Sequence, residues 1–151
     1  KFTGKTLNIK EAILLNIMNN SLGFSTRITY LFKDSPITVR VDKLKRKLNI
    51  SENKIEINLN IDFMVSEFPQ DNLAKASHRK ELEKFLTEKI EHDMNEVLKK
   101  LQEAKCDALG LGRSVRAFHP QWFKKDWNEH FSNLDISAKL NIEITKTGIL
   151  E

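Results

Sequence analysis

The chain has 151 residues, which is the length of one domain. Its hydrophobic content of 40% is enough for one core. Charged residues make up 30% of it and it has only five Gly and three Pro, so its composition excludes a disordered or collagen-like chain. Its 25 basic and 21 acidic residues give a formal net charge of +4, which allows contact with nucleic acid or anionic lipid but does not require it.

The first predicted element is a helix that runs from Ile9 to Asn19. Asn8 and Glu11 have the spacing of a capping box at its start. Apolar residues with helical spacing are Ile9, Ile13, Leu14 and Ile17.

Three strands are predicted after this helix. The first carries apolar residues of one parity and ends at the turn-forming sequence KDSP. These residues are Phe24, Ile28, Tyr30 and Phe32. In the second strand the apolar positions change from odd to even near Asp42 and Lys43, which predicts a bulge or a sharp twist. The third is the clearest, because its apolar residues alternate from Ile55 to Val65 over about 36 Å.

A long helix is predicted from about His78 to Lys105. One apolar stripe runs along it, while Lys, Glu and Arg fill most other positions. The stripe consists of Leu82, Phe85, Leu86, Ile90, Met94, Val97, Leu98 and Leu101. At 1.5 Å per residue the helix is about 40 Å long, which matches the preceding strand and allows the helix to lie across a sheet.

The last predicted element is a strand in which apolar residues alternate from Leu134 to Ile144, ended by Gly148. Strands with one apolar face and hairpin-like connections predict an α+β fold. We expect a mainly antiparallel sheet of about four long strands, with one long helix and shorter helices packed on one face. Residues 1–151 are expected to form a single domain.

The sequence shows little sign of catalysis or metal binding. Cys106 is the only Cys, which excludes an intrachain disulfide and a cysteine-based zinc site. The four His residues, at positions 78, 92, 119 and 130, lack the spacing of metal ligands. We therefore expect no catalytic, cofactor-binding or metal-binding residues, and no enzyme activity.

Glycines and aromatic residues are crowded into LGLGRSVRAFHPQWFKKDWNEHF, residues 109–131. Gly110 and Gly112 lack the third glycine of a dinucleotide-binding motif, and a turn that ends the long helix with glycine at positive φ explains them more simply. A short helix is then predicted over Arg113 to Phe118. Pro120 is expected to end this helix or to start the next one.

Two interpretations of the aromatic residues in this stretch remain. Phe123 and Trp127 are four residues apart, so a helix would place them on one face, packed on the sheet or the long helix. In the alternative, basic residues form a face with exposed rings that stack on bases, or a Trp lies at a membrane or protein interface. These basic residues are Arg113, Arg116, Lys124 and Lys125. Core packing is the more frequent arrangement for aromatic residues at this spacing.

Three stretches, FTGKTLNIKEA, LGLGRSVRAFHPQWFKKDWNEHF and IEITKTG, resemble in this order the C-terminal domain of the Ger(x)C family. This family comprises the lipoprotein C subunits of bacterial spore germinant receptors. The resemblance covers almost the whole chain. The positions that carry it and are expected to be structural are Gly110, Gly112, His119, Pro120, Trp122, Trp127, Phe131 and Gly148.

The resemblance implies a non-catalytic interaction domain that supports receptor assembly or signalling in nutrient-triggered germination. It implies membrane-embedded partner subunits of the A and B types, no cofactor and no nucleic acid. It also implies a lipid anchor at the outer face of the spore inner membrane, on a cysteine upstream of this chain rather than Cys106. Because the sequence starts without Met, a signal peptide or a membrane-spanning run, we expect the excised C-terminal domain of a longer lipoprotein.

The candidate partner-binding residues are Arg113, Arg116, Lys124 and Lys125. The alternative function is a nucleic-acid-binding module that uses the basic and aromatic stretch 113–127.

Overall fold

The computed structural model describes residues 6–21, 26–67 and 76–147. The helices are α1 (Ile9–Met18), α2 (Ala76–Glu103), α3 (Leu111–Phe118) and α4 (Trp127–Asn133), with a 3-10 turn at Pro120–Trp122. The strands are β1 (Arg27–Phe32), β2 (Ser35–Ile50), β3 (Lys54–Glu67) and β4 (Asp135–Thr147). Phe24 and Gly148, which the sequence analysis placed in the first strand and after the last one, lie outside the described residues.

The four strands form one sheet in the order β1-β2-β3-β4. β1 pairs antiparallel with β2, and β2 with β3, which confirms the predicted α+β fold with a mainly antiparallel sheet. The third pair, β3 with β4, is parallel. The expected hairpin-like connection is therefore wrong for this pair. α2 and the short helices after it carry the chain back to the start of β3, so β4 runs in the same direction as β3.

The bulge predicted in β2 is confirmed. The register against β3 shifts between Val41 and Lys43, at the place where the apolar parity changes. Beyond the shift, Arg46 occupies a core-facing position and its Nη1 donates to the carbonyl oxygen of Met18 at 3.1 Å. This polar side chain therefore satisfies a carbonyl at the end of α1.

α1 begins with the predicted capping box and ends at Met18, one residue earlier than expected. The Asn8 side chain accepts from the Glu11 N–H at 2.8 Å, and Glu11 accepts from the Asn8 N–H at 3.1 Å. Glu11 also pairs with Lys100 of α2 at 2.7 Å. The Lys100 ammonium, followed by the Asn8 backbone N–H, lowers the pKa of the Glu11 carboxyl. One carboxylate thus caps α1 and ties it to α2.

The core lies between the sheet and α2. In β3 all six alternating apolar residues from Ile55 to Val65 are buried, and so is the predicted stripe of α2 apart from the partly buried Phe85. The opposite face of the sheet is polar, with Lys45 of β2 and Lys139 of β4 both exposed. The helices therefore cover one face of the sheet, as the alternating strands predicted.

Side chains of α2 cover the free edge of β4. Glu83 accepts from the Ile144 N–H at 2.8 Å, and Glu91 accepts from the Leu140 N–H at 3.2 Å. Asn95 accepts from the N–H of Ala138 at 2.9 Å and donates to its carbonyl at 3.3 Å. These bonds satisfy backbone groups that an edge strand would otherwise present to another chain.

Candidate functional site

The chain between α2 and β4 contains the crowded glycines and aromatic residues, and we call residues 104–134 the α2–β4 connection. It begins where α2 ends at Glu103, with Lys105 in the left-handed region at φ +51°. The expectation that a glycine turns the chain off the long helix is therefore wrong. Gly110 does have positive φ, at +66°, but it is the N-cap residue of α3. A cap without a side chain leaves the first N–H groups of α3 in need of another acceptor.

The Asp107 carboxylate is that acceptor. Its Oδ1 accepts from the Leu111 N–H at 2.8 Å, and its Oδ2 accepts from the Gly112 N–H at 2.7 Å. The same Oδ2 accepts from Nε1 of Trp127 at 2.9 Å. A negative charge is favourable at a helix N-terminus, so Asp107 stabilises α3 while it positions the indole of α4. Asp107 was not among the predicted site residues, and its one signal in the sequence was an Asp three positions before the glycine N-cap.

Gly112 is buried against Trp127. A Cβ at Gly112 would lie 2.5 Å from Nε1 of the indole, closer than any side chain tolerates. The glycine therefore allows the indole to lie on α3 and to reach Asp107. For Gly110 the positive φ supplies the reason. Both glycines of the motif have structural roles that explain their spacing.

The aromatic side chains form two stacked pairs. The rings of Phe123 and Trp127 lie 5.7 Å apart at an interplanar angle of 8°, and those of His119 and Trp122 lie 4.6 Å apart at 19°. The predicted contact of Phe123 with Trp127 is thus present, but not within one helix. Phe123 has extended backbone angles, and α4 begins only at Trp127. Pro120 starts the 3-10 turn between the two helices, as one of its two expected roles required.

The aromatic residues differ in burial. Phe131 is completely buried in the core, whereas Trp122, Phe123 and Trp127 are partly buried at its margin. Phe118 is 75% exposed. The core interpretation therefore describes Phe131 fully, and the two Trp residues only in part.

α4 is fixed to the end of α2 by polar contacts. Gln102 donates to the carbonyl oxygens of Phe131 at 2.9 Å and Leu134 at 2.6 Å. Lys105 forms an ion pair with Glu129 at 2.6 Å. The Glu129 carboxylate raises the pKa of the Lys105 ammonium by accepting this bond. The connection is thus held at its start by Asp107 and near its end by Gln102.

The four candidate partner-binding cations are all exposed, but the structure separates them into two pairs. Arg113 and Arg116 of α3 line one pocket of about 420 Å³, whereas Lys124 and Lys125 lie in the loop before α4 and do not line it. The guanidinium carbon of Arg116 lies 5.6 Å from the ring centroid of Phe123. Within the described ranges none of the four forms an ion pair.

Two further properties bear on the chemistry of the described residues. No three or more of their His, Cys, Asp and Glu side chains are grouped to hold a metal ion. Among their helices, none is long and apolar enough to cross a membrane. Cys106, at the start of the connection, is exposed and forms no disulfide.

Comparison with known proteins identifies the family. The family described as "Spore germination B3/GerAC like, C-terminal" matches residues 1–148. Spore germination protein B3 of Bacillus subtilis (strain 168) is 29% identical over 126 residues, which are 77% of this chain and 34% of that protein. Spore germination protein GerQC of Bacillus cereus is 23% identical over 133 residues, 82% of this chain and 37% of that protein.

A solved structure has the same fold. The crystal structure of the GerBC protein superposes with a TM-score of 0.79 at 25% sequence identity, covering 91% of this chain and 46% of that one. The chain spans about a third of the length of the two curated relatives and just under half of the solved chain. Both the fold and the ordered motifs of the sequence therefore lead to one family. The chain belongs to the family described as spore germination B3/GerAC like, C-terminal.

Proposed function

We propose that this domain acts in spore germination as a non-catalytic interaction domain of a membrane-anchored germinant-receptor C subunit. Its family membership, and the names of its relatives as spore germination proteins, support the role in germination. The observation that carries the interaction role is the set of exposed cations on a connection whose Trp122, Trp127 and Phe131 are packed. Its task is to support assembly of the receptor or transmission of its signal.

Some cations of the described surface are paired with a carboxylate, whereas the two cations of α3 are not. Lys33, Lys100 and Lys105 each have a carboxylate within 2.7 Å. In the described part of the chain Arg113 and Arg116 have none, although the surface carries many acidic residues. Exposed cations held on a fixed backbone, without an internal partner, are suited to contact an external anionic group.

The chemistry of the pocket favours binding over catalysis. Asp107 is engaged with three N–H donors, so its carboxylate is occupied in holding α3 and α4. The other ionisable groups that line the pocket are Arg113 and Arg116. Because guanidinium groups stay protonated near neutral pH, they bind anions but do not exchange protons in general acid–base catalysis.

The partners and the location are part of the proposal. The domain would meet membrane-embedded subunits of the A and B types at the outer face of the spore inner membrane. A lipid anchor in a preceding region of the protein would hold it there. Nucleic-acid binding by residues 113–127 is less well supported, because Phe123 and Trp127 stack on each other and Trp122 stacks on His119. One face of each ring is already covered, which leaves less ring surface for stacking on bases.

Spores that carry charge-removing variants test this function. We expect the quadruple change of Arg113, Arg116, Lys124 and Lys125 to Gln to slow nutrient-triggered germination and to reduce recovery of the other receptor subunits with the protein. The control is Lys45→Gln with Lys139→Gln, which removes exposed cations from the polar sheet face. Immunoblots must show equal protein levels. Normal germination and normal recovery in the quadruple variant would refute the interaction role.

A further inference from the structure

We propose that the pocket beside α3, the arginine pocket, binds a carboxylate side chain on an acidic segment of a partner protein. This inference rests on the proposed function and gives the partner a chemistry. The arginine pocket is lined by Gly110, Gly112, Arg113, Arg116, Phe123 and Trp127, together with polar groups of Asp107 and Asn128. Its volume of about 420 Å³ lies in the range of pockets that hold small ligands, roughly 300–1,000 Å³.

The two arginines supply the binding groups. They are three residues apart on α3, so both project from one side of the helix, and both line the pocket. The Arg113 guanidinium lies about 4 Å from where a Cβ added at Gly110 would be, and the Arg116 guanidinium lies near the Phe123 ring. A guanidinium presents parallel N–H donors that match the two oxygens of a carboxylate. A carboxylate between them would gain charge-assisted hydrogen bonds.

The Asp107 carboxylate lines the pocket but does not pair with the two arginines. Oδ1 of Asp107 accepts one N–H and Oδ2 accepts two, and all three donors belong to Leu111, Gly112 and Trp127. The Asp107 charge lies at the N-terminus of α3, where the helix dipole offsets it. No described carboxylate pairs with Arg113 or Arg116, so the positive charge of the pocket is available to an incoming anion.

The shape of the site selects a peptide side chain over other anions. The stacked rings of Phe123 and Trp127 form an apolar wall beside the guanidinium groups. Such a wall packs against the methylene groups of Glu or against an apolar neighbour in the same segment. A membrane surface is flat, and the cations best placed to meet one, Lys124 and Lys125, lie outside the pocket. A free small carboxylate would leave most of the volume unfilled.

The test uses the purified chain and N-acetyl-hexaglutamate amide as the probe. We expect saturable changes of the amide resonances of Gly110 and Gly112 and of the Trp fluorescence. Arg113→Gln with Arg116→Gln should weaken binding by about tenfold or more, because both guanidinium groups that would bond to the carboxylate are lost. The control Lys45→Gln with Lys139→Gln should change affinity by less than about twofold, because these exposed charges lie on the polar face of the sheet, outside the pocket.

Several outcomes would overturn the inference. One is equal affinity of the double arginine variant, and another is saturation by N-acetyl-hexaglutamine amide, which lacks carboxylates. Preferential binding of free glutamate, of phosphatidylglycerol vesicles or of single-stranded oligonucleotide would assign the pocket to another ligand. If peptide binding fails while spores with Arg113→Gln and Arg116→Gln germinate slowly, the interaction role stands and the carboxylate assignment falls. If the peptide binds but these spores germinate normally, the carboxylate assignment stands and the interaction role falls.

Discussion

The sheet with α2 and the α2–β4 connection are stabilised in different ways. Under α2, apolar residues of β3 and the helix are buried, and polar side chains such as Asn95 bond to the backbone of β4. In the connection, Phe131 alone among the ring-bearing residues is fully buried. There Leu111 and Val115 of α3 join the core, and a carboxylate, Asp107, and two ring stacks also hold the short helices in place.

This difference explains why the connection can carry exposed charge without losing its shape. Its backbone is fixed by contacts on the inner side of α3, where Gly112 meets Trp127 and both meet Asp107. The outer side of α3 presents the exposed Arg113 and Arg116, of which Arg116 also lies near the Phe123 ring. In the sheet region, by contrast, α2 uses its polar side chains to cover β4. Variants of the packed residues should therefore lower the stability of the fold, whereas variants of the two arginines should affect contact with a partner.

The largest effect is expected for Phe131→Ala. Loss of a completely buried ring leaves a cavity, so the free energy of unfolding should fall by about 4 kcal/mol in urea denaturation. Phe118→Ala is the matched control, since this Phe is 75% exposed, and it should change stability by less than about 0.5 kcal/mol. Equal losses in the two variants would mean that the connection is not anchored at Phe131.

Trp127→Ala should lower the free energy of unfolding by about 3 kcal/mol, because the ring stacks on Phe123 and covers Gly112. Trp127→Phe keeps a ring but loses the N–H bond to Asp107, which should cost about 1 kcal/mol. Chemical denaturation of the two variants measures both changes. A neutral Trp127→Ala variant that abolished receptor assembly would instead make the indole a contact residue.

Gly112→Ala adds volume at the contact from which Trp127→Ala removes it. The added Cβ meets the indole at 2.5 Å, so overpacking should cost about 2 kcal/mol although Ala is the better helix former. In the Trp127→Ala background the ring is gone, so the same change should cost little. A double-mutant cycle measures this coupling, and strictly additive effects would show that the two residues do not press on each other.

The sequence predicted the parts of this structure that depend on local periodicity. Three of them can be read from short stretches of sequence and are confirmed: the alternation of β3, the stripe of α2 and the capping box at Asn8. The bulge in β2 was also predicted, because a change of parity in an otherwise regular strand requires an extra residue.

What the sequence could not predict depends on contacts between distant positions. The parallel pairing of β4 follows from where α2 returns the chain, and no residue of β4 encodes it. Asp107 and Trp127 are twenty positions apart, so their bond has no sequence period. Phe123 and Trp127 have helical spacing, yet Phe123 is extended and α4 begins only at Trp127, so no helix joins them. The grouping of Arg113 with Arg116, apart from the two lysines, likewise appears only in three dimensions.

A moderate effect is expected at the edge of the sheet. Asn95→Ala removes the side-chain bonds to the backbone of Ala138, so the free energy of unfolding should fall by about 1.5 kcal/mol. Hydrogen exchange at the Ala138 amide should become faster. Glu96→Ala, at the exposed neighbouring position of α2, should leave both quantities unchanged. Slow exchange in Asn95→Ala would mean that α2 does not protect this edge.

The smallest effect on the free energy of unfolding is expected for Arg113 and Arg116, the arginines of the proposed contact surface. Measuring this effect tests most directly whether the scaffold and the contact surface are separate. The measurement is the free energy of unfolding of the double variant Arg113→Gln and Arg116→Gln, compared in urea with the unchanged chain and with Trp127→Ala. If the arginines serve contact only, the double variant should lie within about 0.5 kcal/mol of the unchanged chain. A loss as large as that of Trp127→Ala would show that the arginines hold the fold, and would contradict their assignment to a partner.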